Sequence, residues 1–454
     1  MSAALELAQR ALAAAEGDEA EAAVQTERSG LARFAASEVH QPTLIANETV
    51  QLRIVRDGRV GIAAGNGTGD DALRELAQRA AAAAELAPPD PDFPGLAPPA
   101  PAPEVGGFDD ETAAVGPDDQ ARLVATVFEA AGDFDVYGFF TSGVSSMAIA
   151  SSTGVALEQT MTDATTLALA AVEGASGYAE QTSWKVGEID PAQVARTAVA
   201  KAERTRGADE IEPGSYRAVL EPYALGELLQ YFAYDTFNGL ALLEERSYAY
   251  DRIGESVFDA RVSIADDALD GRNLPKAFDF EGTPKQRVQL AEEGVLRGVV
   301  WDRISAARAG NGGSSTGHAP PGAMRAWGPI PFALSMAGGD ASSTDELVEA
   351  VGDGIYVTRL HYLGIVQPRE GILTGMTRDG TFRIRDGRIA EPLVNLRFTV
   401  AVPDVLADVP ALTRETTLVN QNAFYDERFP YGTLVPALAT ARFDITGTGS
   451  PPGI

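Results

Sequence analysis

Pairs of an acidic residue and a glycine, set between stretches of alternating apolar and polar residues, constrain the fold of this chain more than any other feature. The pairs are Asp57-Gly58, Glu293-Gly294, Asp379-Gly380 and Asp386-Gly387. A two-residue turn of this kind joins neighbouring antiparallel strands, because glycine readily takes the positive φ that such a turn needs. Each pair therefore predicts a hairpin, and together they predict antiparallel sheets.

Helix signals occur between the predicted strands. Apolar residues recur there at helical spacing, and residues suited to the first turn precede them. We expect Asp70 or Asp71 to cap the helix that begins there, and Ser343 or Thr344 to cap the helix near residue 344. These helices are predicted over residues 2–15, 70–86, 116–131, 190–205 and 344–351.

Length and composition set the number of domains. A chain of 454 residues is too long for one ordinary core, so two or three domains are expected. We predict an N-terminal α+β domain over 1–90, a Pro-rich linker over 91–115, a middle α+β domain over 116–212 and a mainly antiparallel β domain over 213–454. The fold class is then α+β, with three modules in which helices pack on antiparallel sheets.

Charge and composition exclude several classes of function. The net charge of −29 argues against nucleic acid and against an anionic membrane surface as partners. The absence of cysteine excludes disulfides and thiol chemistry. No apolar run reaches the length of about 18 residues that a membrane span needs, and residues 2–15 lack the features of a signal peptide. We therefore expect a cytoplasmic protein.

One long helix is predicted at the start of the C-terminal domain, over residues 221–239 (EPYALGELLQYFAYDTFNG). Pro222 suits its first position, and Leu225, Leu228 and Phe232 repeat at steps of three and four residues. Asn238-Gly239 is a stop signal. We expect this helix to cross the mainly β domain.

Several segments of the chain resemble the TldD/PmbA family, whose metal-bearing members are zinc-dependent peptidases. They are SYRAVLEP at 215–222, STGHA at 315–319, YVTRLHY at 356–362 and GILTGMTRDGTFRIRDGRI at 371–389. Residues 33–66 also resemble the N-terminal domain of that family, which places His40 on a strand. The resemblance covers nearly the whole chain and implies the order of modules predicted above.

In TldD-like members of the family, the long helix carries His-Glu-x-x-x-His, and a cysteine near the C-terminus completes the zinc site. The resemblance aligns residues 226–229 with the run before that motif, so its positions fall on Gln230, Tyr231 and Asp235. None of them matches, and an amide and a neutral phenol are poor zinc ligands. The chain thus resembles the TldE/PmbA-like branch. We expect no catalytic residue, no cofactor and no metal ligand in it, with zinc only in a TldD-like partner.

Three further residues, His318, His361 and Arg378, are candidates to line a cleft. His318 follows Ser315 closely, so it could serve a nucleophilic site, or it could be a hydrogen-bonded histidine in a glycine-shaped loop. His361 lies on a predicted strand and could face substrate or be satisfied within the sheet. The structural role is the commoner one for both histidines.

The resemblance implies a subunit without metal that pairs with a metal-bearing TldD-like subunit, as a heterodimer, in the proteolysis of unfolded or small peptides. Pairing with a second copy of itself, as a homodimer, is also open. Two alternatives remain: a stand-alone hydrolase with an altered site, and a self-paired peptide-binding protein without catalysis. A pairing surface is predicted in the third module from residues 330–337, 356–366, Phe424, Tyr425, Phe429 and Tyr431.

Overall fold

The structure is a computed structural model that describes residues 2–310, 314–420 and 428–453. The α-helices are α1 (Ala3–Ala13), α2 (Asp70–Leu86), α3 (Asp110–Ala114), α4 (Pro117–Ala131), α5 (Pro191–Arg204), α6 (Pro222–Thr236), α7 (Gly239–Leu243), α8 (Arg303–Arg308), α9 (Thr344–Val351) and α10 (Val402–Ala407). The strands are β1 (Glu19–Ala35), β2 (Glu38–Arg56), β3 (Arg59–Gly65), β4 (Asp135–Ser151), β5 (Ala156–Val172), β6 (Ala175–Ser183), β7 (Gly214–Leu220), β8 (Ile264–Asp266), β9 (Val288–Glu292), β10 (Val295–Leu296), β11 (Leu334–Met336), β12 (Gly354–Gln367), β13 (Ile372–Arg385), β14 (Arg388–Leu393), β15 (Leu396–Ala401), β16 (Thr417–Asn420), β17 (Gly432–Val435) and β18 (Leu438–Thr448).

The first sheet has six strands in the order β3-β2-β1-β4-β5-β6, and each neighbouring pair is antiparallel. It takes strands from both sides of residues 91–115, so the N-terminal and middle segments share one sheet. Helices α1 and α2 pack in a core with Leu52 and Leu73, and α4 and α5 pack in a second core with Val127 and Phe140. The domain boundaries given above stay a prediction.

The C-terminal segment forms two further six-stranded sheets. One has the order β10-β9-β8-β11-β17-β16, and the other has the order β12-β7-β18-β15-β13-β14. Most of their pairings are antiparallel, while β7–β12 and β11–β17 are parallel. Helix α6 packs between them, because Leu225, Leu229 and Phe232 share one core with Leu334 of β11 and Val357 of β12. The α+β class and the long helix across the mainly β segment are confirmed.

The predicted helices are all present, with small shifts at their ends. The cap expected at Asp70 or Asp71 is wrong, because Gly69 is the N-cap of α2 and the two carboxylates lie in its first turn. Negative charge in the first turn still favours a helix through its dipole. At α9, the N-cap is Ser343, but its side chain forms no cap hydrogen bond among the described residues.

Three of the four predicted acidic-Gly hairpins are confirmed: Asp57-Gly58 joins β2 and β3, Glu293-Gly294 joins β9 and β10, and Asp386-Gly387 joins β13 and β14. The hairpin predicted at Asp379-Gly380 is wrong, because both residues lie inside β13. They form a bulge opposite Thr358 of β12, with φ of 56° at Asp379 and 133° at Gly380. Some bulges, such as the G1 type, place a residue at positive φ as two-residue hairpin turns do, so an acidic residue followed by glycine suits either structure.

The end of the chain and the Pro-rich stretch both differ from a simple interpretation of their sequence. The sequence GTLVPALATARFDITGTG at 432–449 predicts a pair of neighbouring strands, but the strands it forms, β17 and β18, belong to different sheets. In the Pro-rich stretch, Leu96 and Ala97 are buried, and the hydroxyl of Thr153 donates to the carbonyl of Ala97 at 2.5 Å. Within the described parts of the chain, no helix is both long and apolar enough to cross a bilayer.

Candidate functional site

Gln230 lies on the buried side of α6 and uses both ends of its amide. Its Nε2 donates to the carbonyl of Pro331 at 3.3 Å, and its Oε1 accepts from the hydroxyl of Thr433 at 3.1 Å. The side chain is fully shielded from solvent. It therefore ties α6 to the loop before β11 and to β17.

Tyr231 and Asp235 occupy the other two positions of the metal motif. The ring of Tyr231 meets the edge of Tyr234 at 5.8 Å between centroids, and burial raises the pKa of its phenol. Asp235 forms an ion pair with Arg246. The set thus consists of a bonded amide, a phenol and a neutralised carboxylate, which does not fit zinc. In the described ranges, no three His, Cys, Asp or Glu side chains form a group suited to a metal ion.

His318 is enclosed in the protein rather than exposed in a cleft. Its Nε2 lies 2.8 Å from Oδ1 of Asp266, and its Nδ1 lies 2.9 Å from the carbonyl of Thr316. Burial lowers the pKa of His318, with the charge of Lys285 acting in the same direction. The hydroxyl of Ser315 donates to the carbonyl of Trp301 at 3.1 Å, so it is directed away from the imidazole. A nucleophilic Ser–His pair is not formed.

His361 and Arg378 lie near Arg359 and Asp379, which the sequence did not indicate as site residues. Arg359 places Nη2 at 2.6 Å and Nε at 2.7 Å from Oδ2 of Asp379, and Arg378 places Nε at 3.9 Å from the same oxygen. Burial lowers the pKa of His361 to about 4, and the charges of Arg359 and Arg378 contribute. The bulge of β13 aims Asp379 at these cations.

Next to this group, the first turns of α6 meet β6 in a buried polar cluster. Glu180 accepts from the phenol of Tyr178 at 2.6 Å and from the backbone N–H of Asn420 at 3.0 Å. Tyr223 of α6 donates to the carbonyl of Glu180 at 3.1 Å. The guanidinium of Arg359 lies 4.2 Å from the ring centroid of Tyr178. The cluster therefore joins the first sheet, α6 and the C-terminal sheets.

Glu227 completes the cluster on α6. Burial raises its pKa to about 7, although the positive charge of Arg359 opposes the shift. Burial also raises the pKa of Glu180, against its hydrogen bond from Tyr178. A carboxyl group with a pKa near 7 can exchange a proton at neutral pH, as a general acid or base must. Perturbed carboxyls of this kind occur at functional sites and also in structural networks.

A pocket of about 390 Å³ opens beside the cluster, on the first sheet. Tyr178 and Arg359 belong to both the pocket and the cluster. The sequence missed this region because residues 178, 227, 359 and 420 come from separate elements that meet only in the fold. The one local signal is Glu227, a half-buried carboxylate between the buried residues Gly226 and Leu228 of α6.

Comparison with known protein families matches two long segments of the chain. The sequence pattern of the PmbA/TldA metallopeptidase C-terminal domain matches residues 213–447, and the pattern of PmbA/TldA metallopeptidase domain 1 matches residues 20–84. The chain belongs to the TldD/PmbA family. The family is of the metallopeptidase type, and the matched C-terminal segment contains both α6 and the Arg359–Asp379 pair.

Individual relatives agree with the TldD/PmbA assignment. The crystal structure of TldE from Thermococcus kodakarensis is 20% identical, covers 98% of this chain and 100% of that chain, and has a TM-score of 0.86. A metalloprotease of Methanothermobacter thermautotrophicus is 27% identical over 48% of this chain and 47% of its own length. The metalloprotease TldD homolog of Haemophilus influenzae is 25% identical over 58% of this chain and 54% of its own length. The chain thus spans about half the length of the curated relatives it matches.

Proposed function

We propose that this chain is a TldE-like subunit that carries no metal of its own and completes a TldD/PmbA-type peptidase with a metal-bearing TldD-like partner. The observation that carries the proposal is that side chains at the motif positions of α6 are already engaged in contacts within the chain. Gln230 is bonded at both ends, and Asp235 is paired with Arg246. A zinc ion would have to break these contacts and would still lack imidazole or thiolate ligands.

The TldD/PmbA assignment and the TldE-like fold support the partner role. In that role the chain works in the cytoplasm on unfolded or small peptides, and the TldD-like subunit supplies the zinc and the general base. This chain then contributes binding surface and shape to the shared chamber. Its own activity in the absence of the partner is nil, and self-pairing as a homodimer replaces the heterodimer only when the partner is missing.

The test compares three samples: the purified chain, a TldD-like protein with the intact His-Glu-x-x-x-His motif, and their mixture. Elemental analysis of the desalted chain should find no stoichiometric zinc. Cleavage of an unstructured peptide should appear in the mixture, stop on chelation and stay absent from the chain alone. One zinc per chain, or chelator-resistant cleavage by the chain alone, would overturn the proposal.

A stand-alone hydrolase is the second candidate, and Glu227 is the observation that favours it. Its pKa of about 7 and its place beside Tyr178, Glu180 and Arg359 suit proton transfer without a metal. This candidate requires that Glu227→Gln abolishes any chelator-resistant cleavage by the chain alone. If no such cleavage exists, the cluster serves structure and binding only.

A further inference from the structure

The pocket on the first sheet is lined mainly by apolar and aromatic side chains of its strands. Leu31 and Phe34 come from β1, Tyr137 comes from β4, and Leu167 and Leu169 come from β5. The volume of about 390 Å³ lies within the range of small-molecule and peptide-residue sites. An occupant therefore needs an apolar body of moderate size.

The backbone shapes this pocket at two places. The register between β1 and β2 shifts between Arg33 and Phe34, which bends the strand. In β4, Gly138 has φ of 152°, and a Cβ there would lie only 2.0 Å from the carbonyl oxygen of Leu167. Only glycine allows β4 to approach β5 in this way. The hollow is thus built by the strands themselves.

Among the described residues, two guanidinium groups supply the only charges on the wall. Arg33 and Arg359 line the pocket, and no Asp or Glu does so among the described residues. Arg33 is exposed, and it forms no ion pair within residues 2–310, 314–420 and 428–453. Asp379 engages only Nε and Nη2 of Arg359. The pocket therefore offers positive charge to an anion.

The nearby acids limit how much negative charge the pocket accepts. Asp379 already offsets part of the charge of Arg359, and Glu180 is hydrogen-bonded to Tyr178 of the pocket wall. A doubly charged phosphate would meet their repulsion and would lose more hydration against the apolar wall. A single carboxylate matches a guanidinium in both charge and planar geometry.

We propose that this pocket binds an apolar carboxylate, with the acid group held by Arg33 and Arg359 and the apolar body held against Leu31, Phe34 and Leu167. The C-terminus of a peptide that ends in an apolar residue offers this chemistry, and so does a free aliphatic acid. The proposal does not rest on the partner role, because the pocket lies wholly within one chain.

The test is calorimetric titration of the full chain, without partner or metal, at neutral pH. Three probes are used: Ala-Ala-Leu with a free C-terminus, the same tripeptide amidated at its C-terminus, and octanoate. We expect the free acid to bind at least about tenfold more tightly than the amide. Equal binding of acid and amide, or no binding of either acid at millimolar concentration, overturns the proposal. Stronger binding of the tripeptide acid identifies a peptide terminus, and stronger binding of octanoate identifies a free acid.

Variants locate the site. Arg33→Ala should weaken binding of the acid probe about tenfold. Arg33→Lys should weaken it less, because lysine keeps the positive charge but lacks the planar guanidinium that pairs with a carboxylate. Arg28→Ala is the matched control, since Arg28 is an exposed arginine of the same strand that does not line the pocket. Arg33 is exposed, so its replacement should leave the thermal unfolding midpoint unchanged. Equal effects of the changes at Arg33 and Arg28 contradict the assignment.

Discussion

The imidazole of His318 lies 2.8 Å from the carboxylate of Asp266, and both side chains are completely shielded from solvent. The second oxygen of Asp266 accepts from the backbone N–H of Ala333 at 2.8 Å. Burial alone would raise the pKa of Asp266, but the charges of His318 and Lys285 hold it below its ordinary value. The STGHA loop is thus fastened to β8 by a buried pair.

Replacing one partner of this pair should destabilise the fold. We expect His318→Ala to lower the free energy of unfolding by about 3 to 5 kcal/mol, because Asp266 is left buried without its partner. His318→Gln should cost less, since an amide N–H can still donate to the carboxylate. Urea unfolding followed by circular dichroism measures both losses.

His40 provides the control for that experiment. It lies on β2 with an exposed side chain, and its Nε2 lies 3.0 Å from the carbonyl of Ala35. His40→Ala should change the unfolding free energy by no more than about 0.5 kcal/mol. If His318→Ala is as mild as His40→Ala, the pair is not structural, and a functional role for His318 regains support.

The half-buried carboxyl of Glu227 predicts a pH dependence of stability. Its pKa of about 7 in the folded chain lies above the ordinary glutamate value, so between about pH 4.5 and 7 the folded chain keeps a proton that the unfolded chain has released. The free energy of unfolding therefore falls as pH rises through that window, by roughly 3 kcal/mol from this group. Glu227→Gln removes this fall.

Urea unfolding of the parent and of Glu227→Gln at pH 5, 7 and 8.5 tests that prediction. The stability of the variant relative to the parent should increase from pH 5 to pH 7 and change little from pH 7 to 8.5. Glu75→Gln is the control, because it removes one exposed carboxylate from α2 without touching the cluster. A difference between parent and Glu227→Gln that stays constant from pH 5 to 8.5 would falsify a buried proton at Glu227.

The sequence predicted local elements well, because their signals lie within a few residues. Asp386 and Gly387 occupy a hairpin, and Pro222 begins the long helix, as expected. The hairpin predicted at Asp379 was wrong because the backbone there forms a bulge instead. The carboxylate of Asp379 binds Arg359 and accepts from the hydroxyl of Ser176. A local pattern carries no information on those distant partners.

Part of the candidate site could be predicted from the sequence and part could not. The residue types at positions 230, 231 and 235 argue against a zinc site from sequence alone, since ligand chemistry depends on side-chain type. The cluster of Tyr178, Glu180 and Arg359 could not be predicted, because it forms where the first sheet meets the C-terminal sheets. No periodicity within β6 or β12 indicates that contact.

Gln230 should matter to stability more than its neighbour at the next motif position. Gln230→Ala removes the hydrogen bonds to the carbonyl of Pro331 and from the hydroxyl of Thr433, and it leaves a cavity. We therefore expect the free energy of unfolding to fall by about 2 to 4 kcal/mol. Tyr231→Phe keeps the ring that contacts Tyr234 and should change stability by about 0.5 kcal/mol or less. Thermal unfolding of both variants checks the order, and a milder effect at Gln230 would contradict the structural role given to its amide.

Self-association should depend on the exposed end of β12. Of the predicted pairing surface, Ile330, Phe332, Leu334 and Met336 are buried within the chain, and Phe429 and Tyr431 pack against Phe332. Phe424 and Tyr425 lie outside the described residues. The large apolar side chains of this surface that remain exposed, among the described residues, are Tyr362, Ile365 and Val366, with exposed fractions of 81%, 38% and 54%. Three exposed apolar side chains within five positions of one strand make this end of β12 the candidate interface.

Light scattering at low micromolar concentration and moderate salt tests this patch, because salt screens the repulsion between chains of charge −29. The parent should have a mass above the single-chain value of 47.6 kDa. The double change Ile365→Asp and Val366→Asp should return it to that value, since buried charge opposes pairing. Ile62→Asp changes an isoleucine of β3, in the first sheet, whose exposed fraction is 41%, and this variant should have the same mass as the parent. A parent mass of 47.6 kDa rules out self-pairing, and an unaltered mass in the double variant moves the interface elsewhere.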